Sequence, residues 1–260
     1  MTLPVVSDPF HWTSESWGPA LRCRAIDAVA PHLFTTRTLR LSSTSDWTTL
    51  ARAVGAAQVV TLTQVHGSHA VVVRRGEPAP PGRPEGDVLV SNDPDLAIAV
   101  RAADCVPLLI ADPRTGAVAA VHAGWRGTAA GAARVAVQTM GEEFGVEPGD
   151  VTVAIGPSIG ACCYDVGPEL IDAFAEAAHG RQLIDRWFLA RPPIRGSVER
   201  PGVRLDLEGA NRDQLVGAGV RDDRIHAAGL CTAMHLDVLT SFRAEQDKAG
   251  RLAGVIRARG

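Results

Sequence analysis

Two histidines and one cysteine carry the clearest chemistry in this chain. His66 sits in Thr-Gln-Val-His-Gly (63–67), Cys105 in Ala-Ala-Asp-Cys-Val-Pro (102–107), and His122 in Val-His-Ala-Gly-Trp-Arg-Gly (121–127). Two imidazoles and a thiolate make three borderline-to-soft donors, the number that leaves the fourth tetrahedral position of a zinc ion open. A structural zinc site would take a fourth protein ligand, usually from a Cys-x-x-Cys turn, and the sequence has no such turn. The expected cofactor is a catalytic zinc.

Other residues near this trio have roles to fill. Asp104, beside Cys105, is a candidate carboxylate partner for a ligand imidazole, or else a turn cap. Gly-Trp-Arg-Gly (124–127) leads into an alanine-rich run, where the Arg126 guanidinium and the Gly127 amide would suit an oxyanion such as phosphate; an ordinary strand-to-helix turn is the competing reading. The adjacent Cys162 and Cys163 follow a strand-like segment with no cationic helper nearby in sequence, so a buried, reduced structural pair is expected. No serine-hydrolase elbow, Rossmann fingerprint or EF-hand loop is read from the sequence.

The elements that must position these residues are short and apolar. Asp87 to Val90, Leu96 to Arg101, Val106 to Ile110 and Ala117 to Val121 read as strands between turn signals such as Asn92-Asp93-Pro94. Several are apolar on both parities, which predicts sheet covered on both faces. Seventeen positions separate Cys105 from His122, and a hairpin of that length returns both to one end of a sheet. Helices are predicted over Thr128 to Phe144, over Glu169 to Ala178 after Pro168, and from Leu207 with Asp206 as its cap. Val151 to Ile155 and Ile225 to Leu230 read as further buried strands. Residues 1–29 show little periodicity and are expected to wrap the surface before packing on a domain spanning 30–260. Arg191 to Gly202, with three prolines, is the expected mobile loop.

At 260 residues, with 46% hydrophobic and 21% charged side chains, the composition is that of an ordinary globular protein. A net charge of −3 argues against nucleic acid or an anionic membrane as a partner. Lys248 is the only lysine and follows no Walker sequence, which argues against Schiff-base and P-loop chemistry. Five cysteines, no readable signal peptide and no long apolar run point to a reducing cytoplasm.

Taken together and in order, several motifs resemble the laccase-domain family, whose members are named polyphenol oxidases or purine nucleoside phosphorylases. They are Gln-Val-His-Gly, Ala-Asp-Cys-Val-Pro-Leu-Leu, Val-His-Ala-Gly-Trp-Arg-Gly, Gly-Pro-Ser-Ile-Gly-Ala-Cys-Cys-Tyr-Asp-Val-Gly and a late Ser-Phe-Arg. The resemblance runs from about Ala30 to Ile256. It implies one α/β domain with mixed β-sheets packed between flanking helices, and a metal site on His66, Cys105 and His122. It also implies phosphorolysis of adenosine, inosine and methylthioadenosine, with adenosine deamination as a side activity. Arg37, Gln64 and Arg243, within these motifs or beside them, are the expected substrate contacts. Two segments depart from the family pattern. Thr38 to Ser42 replaces a glycine-rich stretch after Phe34-Thr35-Thr36-Arg37, and Ala244-Glu245-Gln246 follows Ser-Phe-Arg where the family has Arg-Asp-Gly.

The expectation is therefore a zinc enzyme that takes purine nucleosides and phosphate. In phosphorolysis it must hold phosphate beneath the anomeric carbon, with Arg126 and Gly127 as first candidates and Arg37 and Arg243 in reserve. A copper-dependent phenol oxidase is the alternative enzyme, disfavoured because the eight histidines include no His-x-His pair. A metal-stabilised binding protein without turnover is the alternative of a different class.

Overall fold

Strands that are apolar on both sides need cover on both sides, and here two stacked sheets and their flanking helices provide it. The computed structural model describes residues 2–190 and 202–260, so the loop expected at 191–202 lies outside the described residues except for its last position. In chain order the first half comprises β1 (Phe10–Glu15), β2 (Gly18–Cys23), the one-turn α1 (Arg24–Asp27), β3 (His32–Thr35), α2 (Thr44–Ala53), β4 (Gln58–Thr61), β5 (Ala70–Val73), β6 (Val88–Ser91), β7 (Leu96–Ala102), β8 (Val106–Ala111) and β9 (Val118–Ala123). The second half comprises α3 (Trp125–Ala129), α4 (Ala132–Phe144), β10 (Thr152–Ile155), β11 (Asp165–Val166), α5 (Glu169–Glu176), α6 (Arg181–Trp187), β12 (Phe188–Ala190), β13 (Val203–Leu205), α7 (Leu207–Gly217), β14 (Ile225–Ala227), α8 (Phe242–Glu245) and β15 (Leu252–Arg257).

The first sheet has the order β1-β2-β3-β15-β7-β4 and the second β14-β10-β8-β9-β6-β5, with a small third sheet β11-β13-β12. Both large sheets are mixed: β4 runs parallel to β7, β5 to β6, and β10 to β14, among otherwise antiparallel pairs. Alternation along each strand sorts side chains between layers. Ile98 and Val100 of β7 meet Leu89, Leu109 and Ala120 of the second sheet in the central core. Ala97 and Ala99 point the other way, onto Leu50 and Val54 of α2 and the residue after it. On the far face of the second sheet, Val90, Leu108 and Val121 pack on Ala136 and Met140 of α4 and Leu215 of α7. The result is a helix–sheet–sheet–helix stack in one domain, as the sequence predicts. Each buried Leu, Ile or Val contributes roughly 1.5–3 kcal/mol by removal from water.

Some expectations need correction. The N-terminal residues do not wrap the surface: β1 and β2 form an antiparallel hairpin, and β2 pairs with β3 at the edge of the first sheet. The predicted helix over 128–144 is two helices, because Gly131 takes a left-handed conformation (φ +76°) that ends α3 and starts α4 on a new axis. β14 ends at Ala227, three residues before the expected limit.

Candidate metal centre

The hairpin read from the sequence forms. Val106 of β8 stands opposite Ala123 of β9, and Pro107 opposite His122. Cys105, just before β8, and His122, near the end of β9, therefore share one end of the second sheet. His66 arrives on the turn between β4, at the edge of the first sheet, and β5, at the edge of the second. That turn holds His66 at a left-handed φ of +62°, a conformation that a histidine keeps only when its surroundings enforce it. One ligand atom from each of His66, Cys105 and His122 lies within 4.8 Å of the others. The two imidazole rings meet edge to face, with centroids 4.9 Å apart.

The residue that organises this trio is Asp87, which the sequence reading did not select. It is fully buried at the head of β6. Its Oδ1 accepts from His122 Nδ1 at 2.8 Å and from the His66 amide at 3.0 Å. Its Oδ2 accepts from the amides of Val65 at 3.2 Å and Gly67 at 2.7 Å. One carboxylate thus fixes the tautomer of one ligand, leaving His122 Nε2 for a metal, and shapes the turn that presents another. Burial would raise the Asp87 carboxyl, but the hydrogen bonds from His122, Gly67 and His66 hold it below the usual carboxylate range. The one signal for it in the sequence was a charge heading an otherwise apolar strand. Asp104 does not fill this role: it accepts from Thr232 Oγ1 and from the Arg243 amide, each at 2.6 Å.

Burial alone would push the Cys105 thiol up, yet hydrogen bonds and charge from His122 and His66 bring it down to about 6. Burial would lower His122, but Asp87 and Cys105 raise it to about 9. The site thus already favours a thiolate, the form that binds metal. Space is reserved too: a Cβ at Gly124 would lie 2.8 Å from Cys105 Sγ and 3.3 Å from His66 Cδ2, so only glycine fits there without displacing two of the donors. Two imidazoles and a thiolate with a carboxylate behind them fit a borderline transition-metal ion.

The trio opens into a cavity of about 730 Å³ whose wall includes Tyr164, Phe242, Arg243, Arg83, Arg101 and Arg251. Arg243 belongs there as expected, its guanidinium over the Tyr164 ring and donating to the Asp165 carbonyl at 2.7 Å. Gln64 also lines the cavity, but its amide is spent on the Arg101 backbone, donating to the carbonyl at 2.7 Å and accepting from the amide at 2.9 Å. Two other candidates lie outside this wall. Arg126 is exposed and stacks on Trp125, 4.2 Å from the ring centroid, at the start of the single-turn α3. Its charge still reaches the Tyr164 phenol. Arg37 binds the carbonyls of Leu236 and Leu239 and pairs with Glu245 at 3.0 Å, bracing the segment before α8. It lines a neighbouring cavity, together with Leu39, Arg40 and Ser42 of the divergent 38–42 segment.

The sequence missed the cations that do converge. Arg101 Nε is buried without a hydrogen-bond partner among the described residues. Burial and the charges of Arg83 and Arg251 lower its pKa, so these three guanidiniums feel one another. An uncompensated cationic group of this kind is a place for an anion.

Cys162 and Cys163 are not the buried pair that the sequence predicts: Cys162 is exposed and Cys163 half-buried. Burial, with the neighbouring thiols of Cys162 and Cys231, pushes Cys163 up to about 12, which is not the state of an activated nucleophile. The preceding turn, Gly156-Pro157-Ser158-Ile159-Gly160, does spell Gly-x-Ser-x-Gly. Ser158 is buried, however, and its backbone pairs with Leu230 and Thr232 while turns rather than a helix follow, so no nucleophile elbow forms.

The profile of the family described as multi-copper polyphenol oxidoreductase laccase matches residues 42–259. A Bacteroides thetaiotaomicron protein named purine nucleoside phosphorylase is 37% identical over 171 residues, covering 65% of this chain and 60% of that one. A Deinococcus radiodurans protein of the same name is 35% identical over 254 residues, covering 90% of this chain and 91% of that one. A protein of an unknown prokaryote named adenosine deaminase is 34% identical over 172 residues, 66% of this chain and 62% of that one. Among solved structures, the hypothetical protein YfiH of Bacillus licheniformis superposes with a TM-score of 0.83 at 26% identity, covering 97% of this chain and 100% of that one.

Proposed function

This chain belongs to the multi-copper polyphenol oxidoreductase laccase family, and from that premise we propose that it is a zinc-dependent purine nucleoside phosphorylase. Its substrates are adenosine, inosine and S-methyl-5′-thioadenosine with phosphate, and deamination of adenosine is its second activity. The names of its relatives support the class of reaction. The observation that carries the reading is one cavity in which a three-donor metal site, an uncompensated arginine group and two aromatic rings face the same space.

His66, Cys105 and His122 are the residues that would hold zinc, which when bound supplies Lewis acidity beside the substrate. The rest of the work falls to the chain's own side chains. Arg101, with Arg83 and Arg251, receives the phosphate dianion, and the buried Nε–H of Arg101 gains the acceptor it lacks. The glycosidic C–N bond lengthens into an oxocarbenium-like state, a phosphate oxygen bonds to C1′, and the electron pair departs with the purine. Tyr164 and the 45% exposed Phe242 offer ring faces to the base. Arg243, held by Asp104 through its amide and stacked on Tyr164, positions that wall. In deamination, water adds to C6 of the purine, its proton passes to the 6-amino group, and the C6–N bond breaks to release ammonia. Arg126 remains a rim cation near Tyr164.

Incubation of the zinc-loaded protein with inosine and with adenosine, each with and without phosphate, tests this. Ribose-1-phosphate and free base appear only with phosphate, and inosine appears from adenosine without it. Binding of nucleoside with no turnover under any of these conditions refutes the enzymatic reading. Copper-dependent phenol oxidation is the weaker alternative, because the metal-capable clusters found among the described residues are the His66 group and one all-thiol group, with no histidine-rich copper cluster.

A further inference from the structure

A second group of metal donors lies outside the cavity just described. The Sγ atoms of Cys162, Cys163 and Cys231 are all within 4.8 Å of one another. The first two come from the loop after β10, and the third from the segment after β14, which is joined to that loop by the Ser158–Cys231 bridge. All three are free thiols. None of them lines the nucleoside cavity.

We propose that Cys162, Cys163 and Cys231 form a second metal site, separate from the His66–Cys105–His122 centre, that takes a thiophilic monovalent ion, Cu(I).

The sulfur spacing already suits an ion. Three sulfurs about 2.3 Å from a common metal stand roughly 3.8–4.0 Å apart in tetrahedral or trigonal geometry. Cys162 and Cys163 Sγ are 3.6 Å apart, and the 4.8 Å limit on the whole group leaves only a small adjustment for Cys231. A disulfide needs its sulfurs about 2.05 Å apart, much further from what is present.

The surrounding backbone is arranged for the cluster. The Gly160 amide donates to Cys231 Sγ at 3.3 Å, the type of hydrogen bond that stabilises a metal-bound thiolate. A Cβ on Gly160 would lie 3.2 Å from Cys162 Sγ and 3.3 Å from Cys231 Cβ, so a side chain there would crowd the space between the sulfurs. Exposure of Cys162 supplies an entry path.

Donor chemistry selects the ion. Three cysteine sulfurs with no imidazole or carboxylate in the group, which release their thiol protons to solvent as the ion binds, match the soft preference of Cu(I), which is satisfied by three sulfurs. Zinc completes four ligands in closed sites and is better served by the two imidazoles and thiolate of the first centre. The same segments also hold the first centre's framework: the Ile159 amide donates to the Asp104 carbonyl at 2.9 Å, and Thr232 Oγ1 to its carboxylate at 2.6 Å, one residue before Cys105.

The test uses the full chain as purified, with its metal content measured first. Cu(I) is titrated anaerobically against a chromophoric Cu(I) chelator, in wild type, Cys162→Ser and Cys163→Ser. Wild type should take one equivalent of copper while keeping its original metal, and X-ray absorption should place only sulfur around that copper. Each serine variant should lose at least 100-fold in Cu(I) affinity without losing the original metal; Cys162 is exposed, so its substitution leaves the fold intact. Copper that displaces the original metal one for one, a copper shell containing nitrogen, or unchanged affinity in both variants overturns the proposal. Zinc bound at these thiols in preference to Cu(I) overturns the choice of ion.

Discussion

Replacing Asp87 with asparagine isolates what the buried carboxylate does for the metal centre. The two oxygens of Asp87 accept four hydrogen bonds, from His122 Nδ1 and from the amides of Val65, His66 and Gly67. Asparagine keeps the shape but turns one oxygen into an NH₂ group. Whichever side that group takes, two donors lose their acceptor and face another donor in a fully buried place. At about 1.5 kcal/mol for each charge-assisted bond, the metal-free protein loses about 3 kcal/mol of stability. If the NH₂ faces His122, the imidazole must accept at Nδ1 and carry its proton on Nε2, the nitrogen needed by the metal. If it faces the loop amides, the His66 turn loosens instead. Both routes lead to a 10- to 100-fold fall in zinc affinity, about 1.4–2.7 kcal/mol. Competition with a chromophoric chelator measures the affinity, and urea unfolding of metal-free protein measures the stability. Unchanged zinc affinity in a folded Asp87→Asn protein would refute the argument that this carboxylate sets the tautomer and the turn.

Four further outcomes are open to measurement. Gly124→Ala should cut zinc affinity at least tenfold with little change in the circular dichroism spectrum, because its Cβ enters at 2.8 Å from Cys105 Sγ; full zinc retention would show that the donors can move aside. Arg101→Ala should raise the phosphate KM or lower kcat/KM for phosphorolysis by roughly 10- to 100-fold, leaving phosphate-independent deamination less affected. Arg126→Ala, outside the cavity wall, should change phosphorolysis less than about threefold, and the reverse ranking would return the phosphate to the α3 turn. His32 is buried as a neutral ring, accepting from the Cys23 amide at Nε2 and contacting the Ala30 carbonyl through Nδ1. Burial lowers its pKa from 6.5 to about 4, so between those values the unfolded chain binds a proton that the folded chain refuses. Its contribution is complete above pH 6.5, falls as the pH drops towards 4, and levels off below. Wild type should therefore lose about 1.5 kcal/mol more stability than His32→Gln between pH 6.5 and 5 in urea unfolding, and parallel curves would contradict this.

The sequence by itself determined the donor types and the local frame that carries two of them. Cys105 and His122 lie on one hairpin, whose strands are apolar on both faces and whose register follows from short-range pairing. Covered sheets, the cap at Asp206 and the family were legible for the same reason: each rests on neighbours in the chain. Tertiary structure decided which distant groups meet. Asp87 faces His122 because β6 pairs with β9, where the His122 amide also donates to the Asp87 carbonyl, and it meets the 65–67 turn because that turn carries the chain from the edge of the first sheet to the edge of the second. Arg83, Arg101 and Arg251 come from a loop, the end of β7 and the residue before β15, so no spacing announces them, whereas Arg126, adjacent in sequence to the site, stacks on Trp125 and is not part of its wall. Cys231 joins Cys162 and Cys163 across a single bridge between segments some 70 residues apart. Local periodicity reports burial and direction for one strand at a time. Convergence of charge and of metal donors is a property of the packed sheets, where burial makes each contact strong enough to matter.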